Sequence, residues 1–257
     1  MRLLRGEENM HIQQFNQHIE ELFGEHLRKY DDQFGITNVS NEHFHKIGYA
    51  TNLTLETIEE AKKENVDMMI THHDAWEFLY GMEEACQTKL KEYNINHFWV
   101  HLPLDFVEFG TCTSLFHTIE IDEMITYSSY DEEELPGVGE YKNPLPFSKL
   151  VERVESKLGE KVKAWKNNDK DVKRVGIITG AGHSTDHIQA ALDSGCDTYI
   201  TGEKTLYTVQ YAQFKKINLI VGSHTFTEIF GVESLVKRLQ ECDNSLEVVR
   251  LYEEHME

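Results

Sequence analysis

One helix–strand pattern occurs twice in this chain at a fixed interval. Ile58, Ala61, Asp67, Ile70 and Thr71 fall on Ile188, Ala191, Asp197, Ile200 and Thr201, at a constant offset of 130 positions. Two of the five shared types, Asp and Thr, are polar, so shared hydrophobicity alone does not produce the match. The next strands also begin alike, Ile95-Asn96 against Ile217-Asn218. In the first copy IGYATNL (47–53) reads as a strand and Thr54 caps the helix LETIEEAKKEN. The strand VDMMIT (66–71), a helix around 82–92 and the strand HFWV (97–100) follow. In the second, RVGIITG (174–180), the helix STDHIQAALDSG, CDTYITG (196–202), a helix over about 205–214 and INLIVG (217–222) come in the same order. A helix to about 240 and a last strand, LEVVRLY, complete it. Alternating strands and helices predict an α/β fold with mostly parallel sheets, here duplicated as two similar lobes.

The expected division is a first lobe over 1–130, opened by an amphipathic helix at 11–29, and a second lobe over 147–257. Residues 131–146 are expected to be a linker, because 121–146 carries acidic residues, Gly137, Gly139 and three of the four prolines. The acidic cluster at 131–134 reads as a solvated loop. Clefts between lobes are common places for sites.

A chain of 257 residues can bury a substantial core. Its formal charge of −20 disfavours nucleic acid and anionic membrane as partners. No apolar run approaches the roughly 18 residues of a membrane span, and the opening MRLLRGEENMHIQQF lacks the apolar stretch of a signal peptide. Cys86, Cys112, Cys196 and Cys242 form no C-x-x-C pair and read as small core residues in a reducing compartment. A cytoplasmic location is expected.

With fourteen histidines in the chain, position must decide which ones matter. His72 and His73 follow a buried strand, and open parallel sheets bind ligands beyond the carboxyl ends of their strands. His101-Leu102-Pro103-Leu104-Asp105 follows the next strand, so Asp105 and His101 reach the same sheet edge; a helix N-cap is the competing reading for Asp105. His224 and Glu228 follow the equivalent strand of the second copy, four apart on one helix face. Imidazole and carboxylate donors suit one divalent ion or two neighbouring ones, zinc, iron(II), manganese or cobalt, and the distance of every cysteine argues against a thiolate zinc site. In this reading His72, His73, Asp105, His224 and Glu228 are metal ligands, with the Glu228 carboxylate bridging, and His101 is a candidate proton-transfer residue. Gly180-Ala181-Gly182 reads as a tight turn or a phosphate loop, and Trp76 and Phe78 as core aromatics or the wall of a pocket for a flat base. Neither a Gly-x-Ser-x-Gly nor a Walker motif is present.

With these residues in view, the chain resembles the Nif-three-like dinuclear metal-centre proteins, one of whose members is described as a type 2 GTP cyclohydrolase. The likeness covers most of the chain. It rests on ITHHDAWEF (70–78), HLPLD (101–105), RVGIITGAG (174–182), DTYITGE (197–203) and GSHTFTE (222–228). The family's metal ligands match His72, His73, Asp105, His224 and Glu228. The resemblance implies two similar α/β lobes around a central metal cleft and assembly into a homo-oligomer, often a hexameric ring. It also implies a hydrolase acting on a small molecule, such as a nucleotide or another phosphorylated metabolite. The alternative is a non-catalytic metal-binding or protein-interaction scaffold. Three places depart from the family pattern. His-Thr-Asn-Leu-Asp is replaced by His101-Leu102-Pro103-Leu104-Asp105, Lys-Tyr-His by Thr205-Leu206-Tyr207, and an Asp at the end of the first strand by Asn52.

Overall fold

The first copy of the repeat starts on a reciprocal cap. Thr54 Oγ1 accepts from the Thr57 amide at 3.1 Å, and Thr57 Oγ1 accepts from the Thr54 amide at 2.9 Å, which launches the Leu55–Lys63 helix. That helix buries Ile58 and Ala61 completely and leads into the strand Met68–His73, all six of whose residues are buried. The computed structural model describes residues 9–130 and 133–255; Arg2 and Arg5 of the opening segment, and Asp131 and Glu132 of the acidic cluster, lie outside the described residues.

Two compact units divide the chain. One comprises residues up to Val107 together with the segment from Val232 onward, and the other is Glu108–Gly231. In the first unit a five-stranded sheet has the order Glu247–Arg250, Lys46–Asn52, Met68–His73, Asn96–Val100, Phe34–Asn38. Its first four strands are parallel and Phe34–Asn38 runs antiparallel at the edge. In the second unit a six-stranded sheet has the order Lys163–Trp165, Asn218–Val221, Thr198–Thr201, Val172–Ile178, Gly137–Leu145, Glu123–Thr126, with its three parallel strands, Asn218–Val221, Thr198–Thr201 and Val172–Ile178, adjacent. Alternate residues serve opposite faces there. Ile177, Ile200 and Ile220 enter one cluster; Ile178, Tyr199 and Leu219 enter another. Burial on both faces explains why these strands read as continuous apolar runs. Among the described residues no helix is long and apolar enough to cross a membrane.

The repeat extends to single hydrogen bonds. Asp67 Oδ2 accepts from the amides of His45 and Lys46, each at 3.0 Å, and Asp197 Oδ2 accepts from those of Lys173 and Arg174 at 2.8 and 3.0 Å. Asn96 Oδ1 accepts from the Ser40 and Asn41 amides, and Asn218 Oδ1 from those of Asn167 and Asn168. Asn38 donates to the Ile95 carbonyl as Asn167 donates to that of Ile217. Asp67, Asp197, Asn96 and Asn218 each tie the entrance of one strand to backbone at the end of a neighbouring strand, which gives the shared Asp and Asn a structural role.

Several expectations need correction. The 131–146 segment is not a linker, since Gly137–Leu145 is a nine-residue strand paired antiparallel with both Val172–Ile178 and Glu123–Thr126. The glycines that suggested turns are close-packing positions. A Cβ at Gly137 would lie 2.8 Å from Cys112 Sγ, and one at Gly139 would lie 2.6 Å from Ile121 Cγ2. Pro136 precedes the strand and Pro146 caps the following helix, Phe147–Leu158. Residues 108–130 therefore belong with the second unit. The last strand belongs with the first, paired parallel to Lys46–Asn52. The opening helix is split at Gly24 into Ile12–Phe23 and Glu25–Arg28. Cys86, Cys112 and Cys196 are buried as expected, whereas Cys242 is exposed.

If Asp67 and Asp197 do equivalent work, Asp67→Ala and Asp197→Ala should each destabilise the protein by about 1–3 kcal/mol, the cost of stranding partly buried amides. Urea unfolding measures this. A change at either position no larger than that of the exposed Asp31→Ala would remove the equivalence.

Candidate metal centre

Strand register in the first unit sets the local geometry. His73 lies opposite Asn52 on one neighbouring strand, and Thr71 lies opposite Trp99 on the other, so His72, His73 and the residues after Val100 share one sheet edge. The strand runs through both histidines rather than ending at Thr71. Their rings nonetheless come together, with centroids 4.6 Å apart, and His101 stands 5.0 and 5.1 Å from them. One nitrogen from each of the three lies within 4.8 Å of the others. Asp105 lies within the short helix Leu102–Phe106, whose N-cap position is His101, and its Oδ1 is 3.2 Å from His72 Nε2. His101 Nε2 is 3.9 Å from Asp105 Oδ2.

The far side of each ring is held by an oxygen acceptor. His72 Nδ1 meets the Val100 carbonyl at 2.9 Å, His73 Nδ1 meets Asn52 Oδ1 at 2.8 Å, and His101 Nδ1 meets Gln33 Oε1 at 3.0 Å. A backbone carbonyl only accepts, so Nδ1 of His72 carries a proton, and Nε2 is the ring nitrogen turned toward Asp105. For His73 the same tautomer follows from the Asn52 amide, which is oriented by donating from Nδ2 to Glu253 Oε1 at 3.1 Å. Glu253 is in turn clamped by the amides of Thr51 and Asn52, at 2.7 and 2.9 Å. Its own carboxyl is pushed above the usual range by burial, which the hydrogen bonds from Thr51 and Asn52 oppose. His97 is a different kind of histidine. Both its ring nitrogens face threonine hydroxyls, Thr37 and Thr71, and burial lowers it to about 3, so it stays neutral as a core residue.

In the second unit Glu228 is buried on the first turns of the His224–Cys242 helix, with Oε2 3.2 Å from His224 Nε2. His224 Nδ1 meets Glu203 Oε1 at 2.6 Å, and the other Glu203 oxygen is 3.2 Å from His183 Nδ1. Burial disfavours a charge on His224, but Glu228 and Glu203 outweigh it and hold its pKa up, at about 10. Gly180 keeps this corner open. Its φ is +59°, and a Cβ there would collide with Glu228 Oε1 and come within 2.8 Å of His224 Nε2. The tight-turn reading of Gly180 thus acquires a reason, room for a carboxylate.

The donor chemistry passes a test of fit to a cation. His72 Nε2 faces a carboxylate oxygen at 3.2 Å, a contact that needs a proton or a cation between the two atoms. His224 and Glu228 bracket a second such position. Imidazole and carboxylate donors with carbonyl and carboxylate partners behind them match borderline divalent ions. Glu203, Glu253 and Gln33 are functional candidates that sequence reasoning missed. The Thr-Gly-Glu motif is the sequence signal for Glu203; Glu253, 201 positions from Asn52, has none.

Beside His73 and His101 lies a cleft of about 520 Å³, with Trp76, Phe78 and Trp99 in its lining. Trp76 stacks at a tilt on His73, with centroids 4.7 Å apart, and Phe78 on Trp76 at 5.5 Å.

Glu253→Gln would turn an amide donor toward groups that already donate and loosen Asn52 behind His73. An about 10-fold loss of zinc affinity is expected, at the lower end for residues that orient metal ligands. Chelator competition reads it, with the exposed Glu254→Gln as control; equal affinities would remove Glu253 from the site.

A protein-family profile, Duf34/NIF3 (NGG1p interacting factor 3), matches residues 10–255. A relative from Pyrococcus horikoshii, named GTP cyclohydrolase 1 type 2 homolog, is 30% identical over 213 residues, covering 80% of this chain and 84% of that protein. Among solved structures, the protein ybgI, of unknown function, superposes with a TM-score of 0.81 at 24% identity, covering 96% of this chain and 99% of the other. Reduced HcgD from Methanocaldococcus jannaschii superposes with a TM-score of 0.77 at 22% identity, covering 95% and 98%. These likenesses establish a NIF3-like fold, and the profile match over nearly the whole chain establishes the family. The chain belongs to the Duf34/NIF3 family.

Proposed function

We propose that this protein is a metal-dependent hydrolase in which His72, His73, Asp105, His224 and Glu228 together hold two divalent ions. The observation that carries the reading is an imidazole nitrogen facing a carboxylate oxygen at 3.2 Å, once at His72–Asp105 and again at His224–Glu228. Bound ions would supply Lewis acidity and make a water more acidic near neutral pH. The chain's own residues would do the rest. Val100, Asn52 and Glu203 orient the imidazoles, and burial of His72, His73 and Glu228 limits bulk water. His101 lies next to His72 and His73 and, being half-exposed, would exchange a proton with solvent through Nε2, while Gln33 steadies Nδ1. The names of the curated relatives favour a substrate that carries a nitrogen heterocycle, as a nucleotide does.

Metal analysis of protein purified without chelator tests the reading. We expect about two equivalents of transition metal per chain, and a loss of at least half in His72→Ala and in Glu228→Ala. Less than one equivalent, unchanged by either substitution, would refute it. Turnover of nucleotides and phosphoesters with zinc, manganese or iron(II), abolished by the same substitutions, separates an enzyme from a metal-bearing scaffold. Two bound ions without turnover on any of these substrates would favour the scaffold.

Metal uptake should also depend on pH in a definite direction. His224 holds its proton up to about pH 10 in the metal-free protein. An ion must displace that proton, so affinity should rise from pH 6 to pH 9 with about one proton released at this ligand. Calorimetry in buffers of different ionisation enthalpy reads the proton count. Affinity independent of pH would exclude His224 as a ligand.

A further inference from the structure

The cleft beside His73 combines two features that select a ligand. Its aromatic wall is a tilted ladder, with His73 stacked by Trp76 and Trp76 by Phe78, and Trp99 also contributes to the lining. Its charged lining residues are carboxylates, Asp32, Asp74, Glu77 and Glu83, with no lysine or arginine among the residues that line it. Phe78 is 68% exposed, and Glu77 and Glu83 are exposed, so wall and rim are both reachable from solvent. A buried core cluster would not leave its aromatics open in this way.

Flat rings stack on such a wall, and a ring bearing positive charge gains further from the negative faces of Trp and Phe. The carboxylates add attraction for a cation and repulsion for an anion, in a chain whose formal charge is already −20. A nucleoside triphosphate would bring several negative charges to this rim. At about 520 Å³ the cleft is the size of a small-molecule site.

From these observations we infer that the cleft beside His73 binds a planar, positively charged nitrogen heterocycle, and that GTP and similar polyanions are poor ligands for it. The inference rests on the proposed hydrolase only in making this ring the part of the substrate that docks next to the metal ligands. The ring end would lie against Trp76 and Phe78 and direct the rest of the molecule toward His73 and His101.

Three probes share one ring and differ in charge: 1-methylnicotinamide, methylated on the ring nitrogen, is a cation, nicotinamide is neutral and nicotinate is an anion. Calorimetric titration of the full chain, as purified and again after chelation, measures the order of affinity while metal content is determined on the same samples. We expect the cation to bind about 10-fold more tightly than the neutral ring, and nicotinate and GTP to bind most weakly after chelation. The exposed substitutions Glu77→Gln and Glu83→Gln together should reduce the cation's advantage to about 2-fold, and Trp76→Leu should weaken both the cation and the neutral ring. Nicotinate or GTP binding to the chelated chain as tightly as the cation would overturn the inference, as would a cation preference untouched by the double substitution. A protein without metal that keeps the cation preference would sink the hydrolase reading and leave this one standing; two bound ions without the preference would do the reverse.

Discussion

A strand with no exposed residue, Met68–His73, is the constraint on which the first unit depends. Its neighbours on both sides are parallel, so its backbone groups are committed to ladders and its side chains to apolar faces. Polar side chains survive only at its carboxyl end, and only where a partner waits. His72 finds the Val100 carbonyl on one neighbouring strand, and His73 finds Asn52 on the other. Two adjacent histidines are thereby pulled in different directions at Nδ1 while their rings stay 4.6 Å apart.

The second unit solves a similar problem with other means. It carries its donors on the first turns of the His224–Cys242 helix, backs His224 with Glu203, and makes room for Glu228 by leaving Gly180 without a side chain. Both units keep the same scaffold beneath these differences. The carboxylates of Asp67 and Asp197 and the amides of Asn96 and Asn218 fasten corresponding strand entrances. The two units share this frame, and the chemistry at the strand ends differs between them.

Asn52 illustrates how an amide can hold a histidine in one tautomer. The amide presents its oxygen to His73 Nδ1 and donates from Nδ2 to Glu253, so the negative charge lies one residue further out. The histidine keeps its tautomer, and the buried carboxylate keeps three donors around it.

The repeat, the α/β class and the sheet edge that gathers His72, His73, His101 and Asp105 were legible in the sequence. Hydrophobic periodicity and strand order are local signals, and the ends of parallel strands share an edge by topology. The segment 137–145 was misread because glycine has two uses. As a turn former it is recognised from its neighbours in sequence, but as a space-maker against Cys112 and Ile121 it is recognised only from neighbours in space. The same reason hid the strand partner of Glu247–Arg250 and the hold of Glu253 on Asn52, 201 positions away. Sequence by itself determined which donor atoms exist and at which strand ends they stand. Tertiary structure decided which nitrogen of each imidazole bears the proton, because that depends on a hydrogen-bond partner no local pattern specifies.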